Sequence, residues 1–255
     1  MMKTDYCNCN KQLAYVPSTL TVRSFTNVGI DSWIAPAYVN SVEYLVVGGG
    51  GGGGGAYDTG SAGGGGGGLV LSGRLTVVPG NTYSITVGAG GTGGTGDRAI
   101  SPPEYSGNNG GTSKFATKTA LGGGGGYRSR VQIGGTGYGG FAANGLTAPT
   151  GGNGAGNADG GENGGGGGGN ASAGGSSTLT PLESKTGGAG LTNNISGSNV
   201  IYGAGGVGGQ VSTSLAGPDS ANNTGNGGGG AASTSGDSKS GGNGGSGIVI
   251  LKYYV

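Results

Sequence analysis

Glycine supplies 73 of the 255 residues, about four times its average share, so disorder is the first reading to test. Twelve basic and 11 acidic residues leave a net charge of +1, which argues against a nucleic-acid or anionic-membrane surface. Histidine is absent, which excludes His-based triads and His-ligated metal, and Cys7 and Cys9 are too close in sequence for a disulfide framework.

Residues 1–40 have ordinary composition and read as an N-terminal attachment segment with short strands. Residues 1–12 are polar, a stretch expected to be mobile or docked on a partner. They do not form a signal-like apolar run, so export by a signal of its own is not expected, and no apolar stretch reaches membrane-spanning length. Leu20-Thr21-Val22-Arg23-Ser24-Phe25 alternates and predicts a strand. Trp33-Ile34-Ala35-Pro36 predicts a turn or loop around a buried aromatic.

A glycine-rich domain is assigned to 41–255. Val42-Glu43-Tyr44-Leu45-Val46-Val47 predicts a buried strand that runs directly into eight glycines, 48–55. The connector 56–62 joins them to a second run, 63–68. Residues 69–71 and 74–78 predict strands, Pro79-Gly80-Asn81 a turn, and 82–87 a strand, so 74–87 reads as a hairpin. Gly247-Ile248-Val249-Ile250-Leu251 predicts a last apolar strand. Strands near 42–47, 69–87 and 247–254 would make one small antiparallel sheet or sandwich, the single conventional core visible.

Between 88 and 245 the glycine recurs in threes, as in Gly90-Gly91-Thr92-Gly93-Gly94-Thr95 and Gly241-Gly242-Asn243-Gly244-Gly245-Ser246. Three residues per turn is the period of the polyproline-II-type helix, which rises about 3.1 Å per residue and makes no internal hydrogen bonds. Such helices satisfy their backbone only by bonding to neighbours, and only glycine lets backbones approach that closely. Two glycines per turn would face neighbours, and Thr, Asn, Ser or Gln would face outward. The expected fold is an all-β core with a bundle of polyglycine-II helices and essentially no α-helix, set against the bland alternative of slack glycine loops.

Gly88-Ala89-Gly90-Gly91-Thr92-Gly93 matches a dinucleotide-binding pattern, but no helix follows to hold a pyrophosphate, and matches arise by chance in so much glycine. The loop carboxylates, among them Asp58, Asp97, Glu104 and Asp237, read as solubilising turn residues rather than a glycosidase pair. Asp159-Gly160-Gly161-Glu162 follows no calcium-repeat pattern. No catalytic residue, metal or cofactor is assigned. The connectors instead concentrate Tyr57, Arg98, Tyr105, Tyr127, Arg128, Arg130, Tyr138 and Phe141, the residue types that anchor interfaces at low entropy cost. Tyr202, beside Ile201, reads as structural.

The strand 42–47 with the glycines after it, the strands around Pro79-Gly80-Asn81, and the ending 247–253 resemble the glycine-rich domains of bacteriophage tail and tail-fibre proteins. The glycine blocks are also similar to the distal tail-fibre adhesins of T-even-like phages, over roughly 36–255. The resemblance implies a polyglycine-II sandwich whose loops contact a host receptor. On it the chain is expected to be a non-enzymatic adhesin on the virion surface. Its partners would be other tail or capsid proteins and a host cell-surface protein or glycan, with no nucleic acid and no membrane insertion. A homotrimer is the oligomer such fibres imply, although no heptad marks one. The alternatives are a purely structural spike or minor tail protein and, further off, an ice-binding protein. Those adhesins carry a sizeable attachment domain before the glycine, where this chain has about 40 residues.

Overall fold

The computed structural model describes residues 19–58, 60–96, 106–127, 170, 174, 186–210, 214–234 and 236–255. Their strands are, in chain order, β1 (Leu20–Phe25), β2 (Gly29–Ile34), β3 (Ser41–Val47), β4 (Ala56–Tyr57), β5 (Gly60–Ser61), β6 (Val70–Thr76) and β7 (Thr82–Val87). There follow β8 (Ser113–Phe115), β9 (Lys118–Ala120), β10 (Leu191–Asn193), β11 (Val200–Tyr202), β12 (Ala232–Ser233), β13 (Ser238–Lys239) and β14 (Ile248–Tyr254). No helix occurs among the described residues, as expected.

Two four-stranded antiparallel sheets form a sandwich, one in the order β1-β14-β3-β6 and the other β2-β7-β8-β9. Alternation along β3 sends Val42, Tyr44 and Val46 between the sheets, where they join Trp33, Ile85, Phe115, Val249 and Leu251. Leu45 and Val47 point the other way, yet are buried too: they pack with Ile248 and Ile250 under Ile195 and Tyr202 of the β10–β11 hairpin. Strands covered on both faces read as continuous apolar runs, which is why β3 and β14 stand out in the sequence. Tyr202 is thus structural, and burial pushes its hydroxyl pKa up against a hydrogen bond with Ser196.

Three expectations are corrected. The stretch 74–87 is not a hairpin: β6 pairs with β3 in one sheet and β7 with β2 and β8 in the other. The 77–81 connection crosses the sandwich, so Leu71 and Leu75 face Tyr83, Ile85 and Val87 across the core instead of sharing one face with them. Trp33 is buried but lies within β2 rather than in a turn, because Ile34↔Thr82 and Trp33↔Tyr83 continue the ladder. A second core exists beside the single one expected, built on the 191–202 connector. Residues 20–34 supply strands to both sheets.

The glycines after β3 form a straight rod whose successive N–H groups go to three neighbours in rotation. Gly51 and Gly54 donate to Gly66 and Gly63, Gly49 and Gly52 to Gly111 and Asn108, and Gly50 and Gly53 to Gly245 and Gly242, all at 2.8–2.9 Å. These three neighbours run antiparallel to the rod. Its carbonyls accept, in the same rotation, from three parallel neighbours: Gly123 and Gly126, Gly91 and Gly94, Gly228 and Ala231. No residue of 48–55 has a positive φ. Threefold rotation at negative φ is the polyglycine-II geometry, here ringed by six rods.

The glycine pattern reports each rod's place. The all-glycine runs 48–55, 63–68 and 227–230 are buried throughout. The rod 88–96 lies at an edge and exposes Ala89, Thr92 and Thr95, one residue per turn. At such edges asparagine substitutes for a missing neighbour: Asn243, Asn109 and Asn226 each offer Oδ1 to a rod N–H, of Gly93, Gly125 and Ala204 respectively, at 2.8–2.9 Å. A hydrogen bond contributes about 0.5–1.5 kcal/mol net, while fixing one residue's backbone costs roughly 1–2 kcal/mol. A lone rod therefore fails. This one holds because every residue of 49–54 both donates and accepts, and because the sandwich clamps one end.

On the outer face of β3, Glu43 accepts from Arg74 Nη2 at 2.8 Å and lies 3.5 Å from Lys252 Nζ. The Arg74 hydrogen bond, helped by Lys252, holds the Glu43 carboxyl below its usual range, against burial, which raises it. A depressed folded pKa means stability present above the unfolded value and lost as pH falls through the folded one; for so exposed a pair it amounts to at most about 1 kcal/mol. In Arg74→Gln the Glu43 midpoint, followed by NMR of its side-chain carboxyl carbon, should move up toward the ordinary carboxylate value. An unmoved midpoint would show that the pair does not form in solution.

Candidate functional site

Rods continue the sandwich strands end to end, so the bundle has a base at the sandwich and a tip away from it. From the base, β3 leads into 48–55, β7 into 88–96 and β9 into 121–127; rods 62–69, 107–111 and 240–247 return into β6, β8 and β14. The hydrogen-bond register puts Gly54, Gly63, Tyr127 and Ala231 at one level, with Gly94 and Gly241 beside them, farthest from the sheets. Eight residues of rod separate tip from base by roughly 25 Å. At the opposite extreme of the molecule, Thr19 and Val255 exchange both backbone hydrogen bonds, at 2.8 and 3.0 Å.

Connectors 56–61 and 97–105 begin and end at the tip, and 128–150 leaves the described rods there, after Tyr127. Connector 56–61 lies beside connector 232–239, joined by the ladders Tyr57↔Ser238 and Ser61↔Ala232. Asp58 takes φ +59 at the turn, donates its N–H to Asp237 O at 3.0 Å, and accepts the Gly236 N–H on Oδ1 at 3.1 Å. This carboxylate closes a loop, in keeping with its reading as a turn residue. Asp237 lies 3.8 Å from Lys239 Nζ and accepts from Ser214 Oγ at 3.3 Å. No group of three His, Cys, Asp or Glu side chains capable of holding a metal gathers among the described residues.

Of the sequence candidates, the structure places Tyr57 and Tyr127, both at the tip. Tyr57 is half-buried in β4. Tyr127 is 47% exposed, while its carbonyl accepts the Gly63 N–H at 2.9 Å. Arg98, Tyr105, Arg128, Arg130, Tyr138 and Phe141 lie outside the described residues, as do residues 1–12. The described flanks of their connectors are nonetheless fixed: Gly96 abuts Ala56 and Lys239, Gly107 donates to Gly126, and 128–150 follows Tyr127. The sequence reading missed Leu215, which bridges to Ala232 at the tip and is 62% exposed. Nothing in its surroundings, Ser214 and Ala216, marks it in advance; only the ladder to 232 does.

Among the described residues this end carries the exposed Tyr127 and Leu215 and the half-buried Tyr57, on loops held by Asp58 and Asp237 at the ends of interlocked rods. That arrangement suits binding at fixed spacing and holds no described nucleophile–base pair. A family model described as a glycine-rich domain matches residues 26–254, the rods together with the sandwich except β1. No curated protein matches the chain.

Proposed function

The chain belongs to the glycine-rich domain family, and we propose that it is a non-enzymatic phage adhesin of the virion surface, at a tail fibre or tail tip. Its tip loops bind a host cell-surface protein or glycan, and its base attaches to other virion proteins. The observation that carries this reading is the segregation of the molecule. Tyr57, Tyr127 and the flanks of the other Tyr- and Arg-bearing connectors share the tip, about 25 Å of interlocked backbone from the sheets. Tyrosines on a rigid support lose little entropy on binding, which is what makes such residues interface anchors.

The test is exchange of 97–105 and 128–150 for Gly/Ser segments of equal length, which leaves the described rods unaltered in sequence. Adsorption of particles to host cells should fall by about tenfold or more, the effect of losing one or two anchors, with the melting temperature of the purified protein unchanged. Equal adsorption and host range would leave a purely structural virion role.

One observation favours a second reading. Ala89, Thr92 and Thr95 make an outward row of small residues, repeating every ~9.3 Å, of the kind an ice-binding face requires. The Thr92 hydroxyl, however, is taken up by Asn108 Nδ2 at 2.7 Å. No thermal hysteresis is expected; its appearance would replace the adhesin assignment.

A further inference from the structure

The outer face of the β1-β14-β3-β6 sheet is only half covered. Toward the bundle it carries Leu45, Val47, Ile248 and Ile250 under the β10–β11 hairpin. Toward the base the register sets Val22, Lys252, Glu43 and Arg74 in one row across the strands, and beyond it pairs Leu20 with Tyr254 and Ser41 with Thr76. Among the described residues nothing lies over these positions, and two adjoining grooves of about 290 and 390 Å³ run across them, sharing Glu43, Arg74 and Lys252 as floor. The hairpin turn at Asn193 and Asn194 bounds one side and Tyr38 the other.

Two features of this surface point to a ligand. Its charge is unbalanced, with two cations sharing one carboxylate, and Arg74 keeps 69% of its side chain exposed while bonding Glu43 through Nη2. The guanidinium presents five N–H donors and the ammonium three, more than Glu43 can accept. At the rim, Tyr38 adopts φ +71, a conformation uncommon outside glycine, and stands 95% exposed. Tyr254, on the same groove, is 60% exposed. Backbone held in a sparsely populated region, presenting an aromatic ring to solvent beside two cations that share one carboxylate, is more than covering the sheet requires.

We propose that this basal groove is a docking site for an acidic, extended peptide segment of a partner protein, its carboxylates taken by Arg74 and Lys252 and its apolar side chains by Tyr38, Tyr254 and Leu20. A polypeptide fits because an extended chain alternates its side chains at the spacing of the rows beneath it, and because Tyr with Arg is the pairing that anchors protein interfaces. The groove lies at the end where Thr19 meets Val255, away from the tip loops. The inference goes beyond the adhesin reading and does not depend on it.

The full chain should bind a fluorescein-labelled octapeptide Asp-Ser-Val-Ser-Asp-Ser-Val-Ser, which when extended presents Asp and Val in turn on one face, read by anisotropy, with affinity that falls as salt is raised. The Asn/Val counterpart should bind about tenfold more weakly or worse, and Lys252→Gln should lose a similar factor. Tyr38→Gly, which relieves the positive φ and so preserves the fold, should weaken binding several-fold with the melting temperature held. Equal binding of the two peptides, or indifference to Lys252→Gln, would overturn the proposal. So would preference for an oligogalacturonate over the peptide, or a dimer in sedimentation that Tyr38→Gly abolishes, which would give the groove to a second copy. None of these readouts involves the tip, so adsorption and docking fail or stand separately.

Discussion

Replacing Gly52 by alanine should cost about 3 kcal/mol or more and lower the melting temperature by roughly 10 °C. The new Cβ would fall within 3.0 Å of the Thr92 carbonyl and of the Gly93 nitrogen. Overpacking an ordinary core costs about 1–3 kcal/mol because side chains can turn aside. Here the obstruction is backbone, and moving it stretches the bonds from Asn108 to Thr92 and from Gly93 to Asn243. The sign is the informative part. At negative φ with open space, Gly→Ala stabilises by about 0.4–1 kcal/mol through the unfolded state, so slack loops would gain from the change. Thr92→Ser, on the outward row, should stay within about 0.5 kcal/mol. A Gly52→Ala protein that melts at or above the parent temperature would mean that 48–55 is not packed.

The same argument runs along the whole rod and explains what its composition shows. An added Cβ at Gly48, Gly51 and Gly54 would meet carbonyls of 121, 124 and 127, at Gly49, Gly52 and Gly55 those of 89, 92 and 95, and at Gly50 and Gly53 those of 226 and 229. Eight uninterrupted glycines therefore mean a rod with neighbours on every side, whereas Gly-Gly-Thr means a rod with one side free. The period was legible because it is local. Which rods touch was not. Gly51 bonds to Gly66 and Gly228, and those glycines are chemically the same as any others. Backbone pairing without side chains leaves no mark in composition; the asparagines that close edge N–H groups are the nearest to one, and they resemble ordinary turn residues.

The sheets divide in the same way. Alternation and apolar runs located β1, β3, β7 and β14, since burial of a strand face is written in its own residues. Partners were not written there. Residues 74–87 have the turn chemistry of a hairpin, and tertiary packing overrode it: β6 and β7 lie in different sheets and bury Leu71, Leu75, Ile85 and Val87 in one core between them. The 191–202 connector looked like one more loop, and only the uncovered Leu45 and Ile250 explain why Ile195 and Tyr202 must fold back on them. At the tip, composition singled out Tyr57 and Tyr127, while their convergence on one end follows from the rod register alone.

Trp33→Ala should be the most damaging change in the sandwich, at about 3–5 kcal/mol. Trp33 is 1% exposed, and its ring lies 5.3 Å from Tyr253, 5.8 Å from Tyr83 and 6.1 Å from Phe115, centroid to centroid. Tyr253 belongs to one sheet and the other three rings to the second, so the cluster is what holds the sheets face to face. Trp33→Phe keeps part of the contact and should cost less. The effect should not stop at the sheets. Rods 88–96 and 240–247 are continuous with β7 and β14, and the rod bonds alone only about balance the entropy of ordering glycine. Loosening the clamp should therefore release the bundle in the same cooperative step. In hydrogen exchange, the amides of Gly51 and Gly52 should speed up with that of Leu45, by about a hundredfold or more for a loss of roughly 3 kcal/mol. Rod amides that keep their parent rates in Trp33→Ala while Leu45 accelerates would show that the bundle stands without the sandwich, and that its stability comes from the interlocked glycine backbone alone.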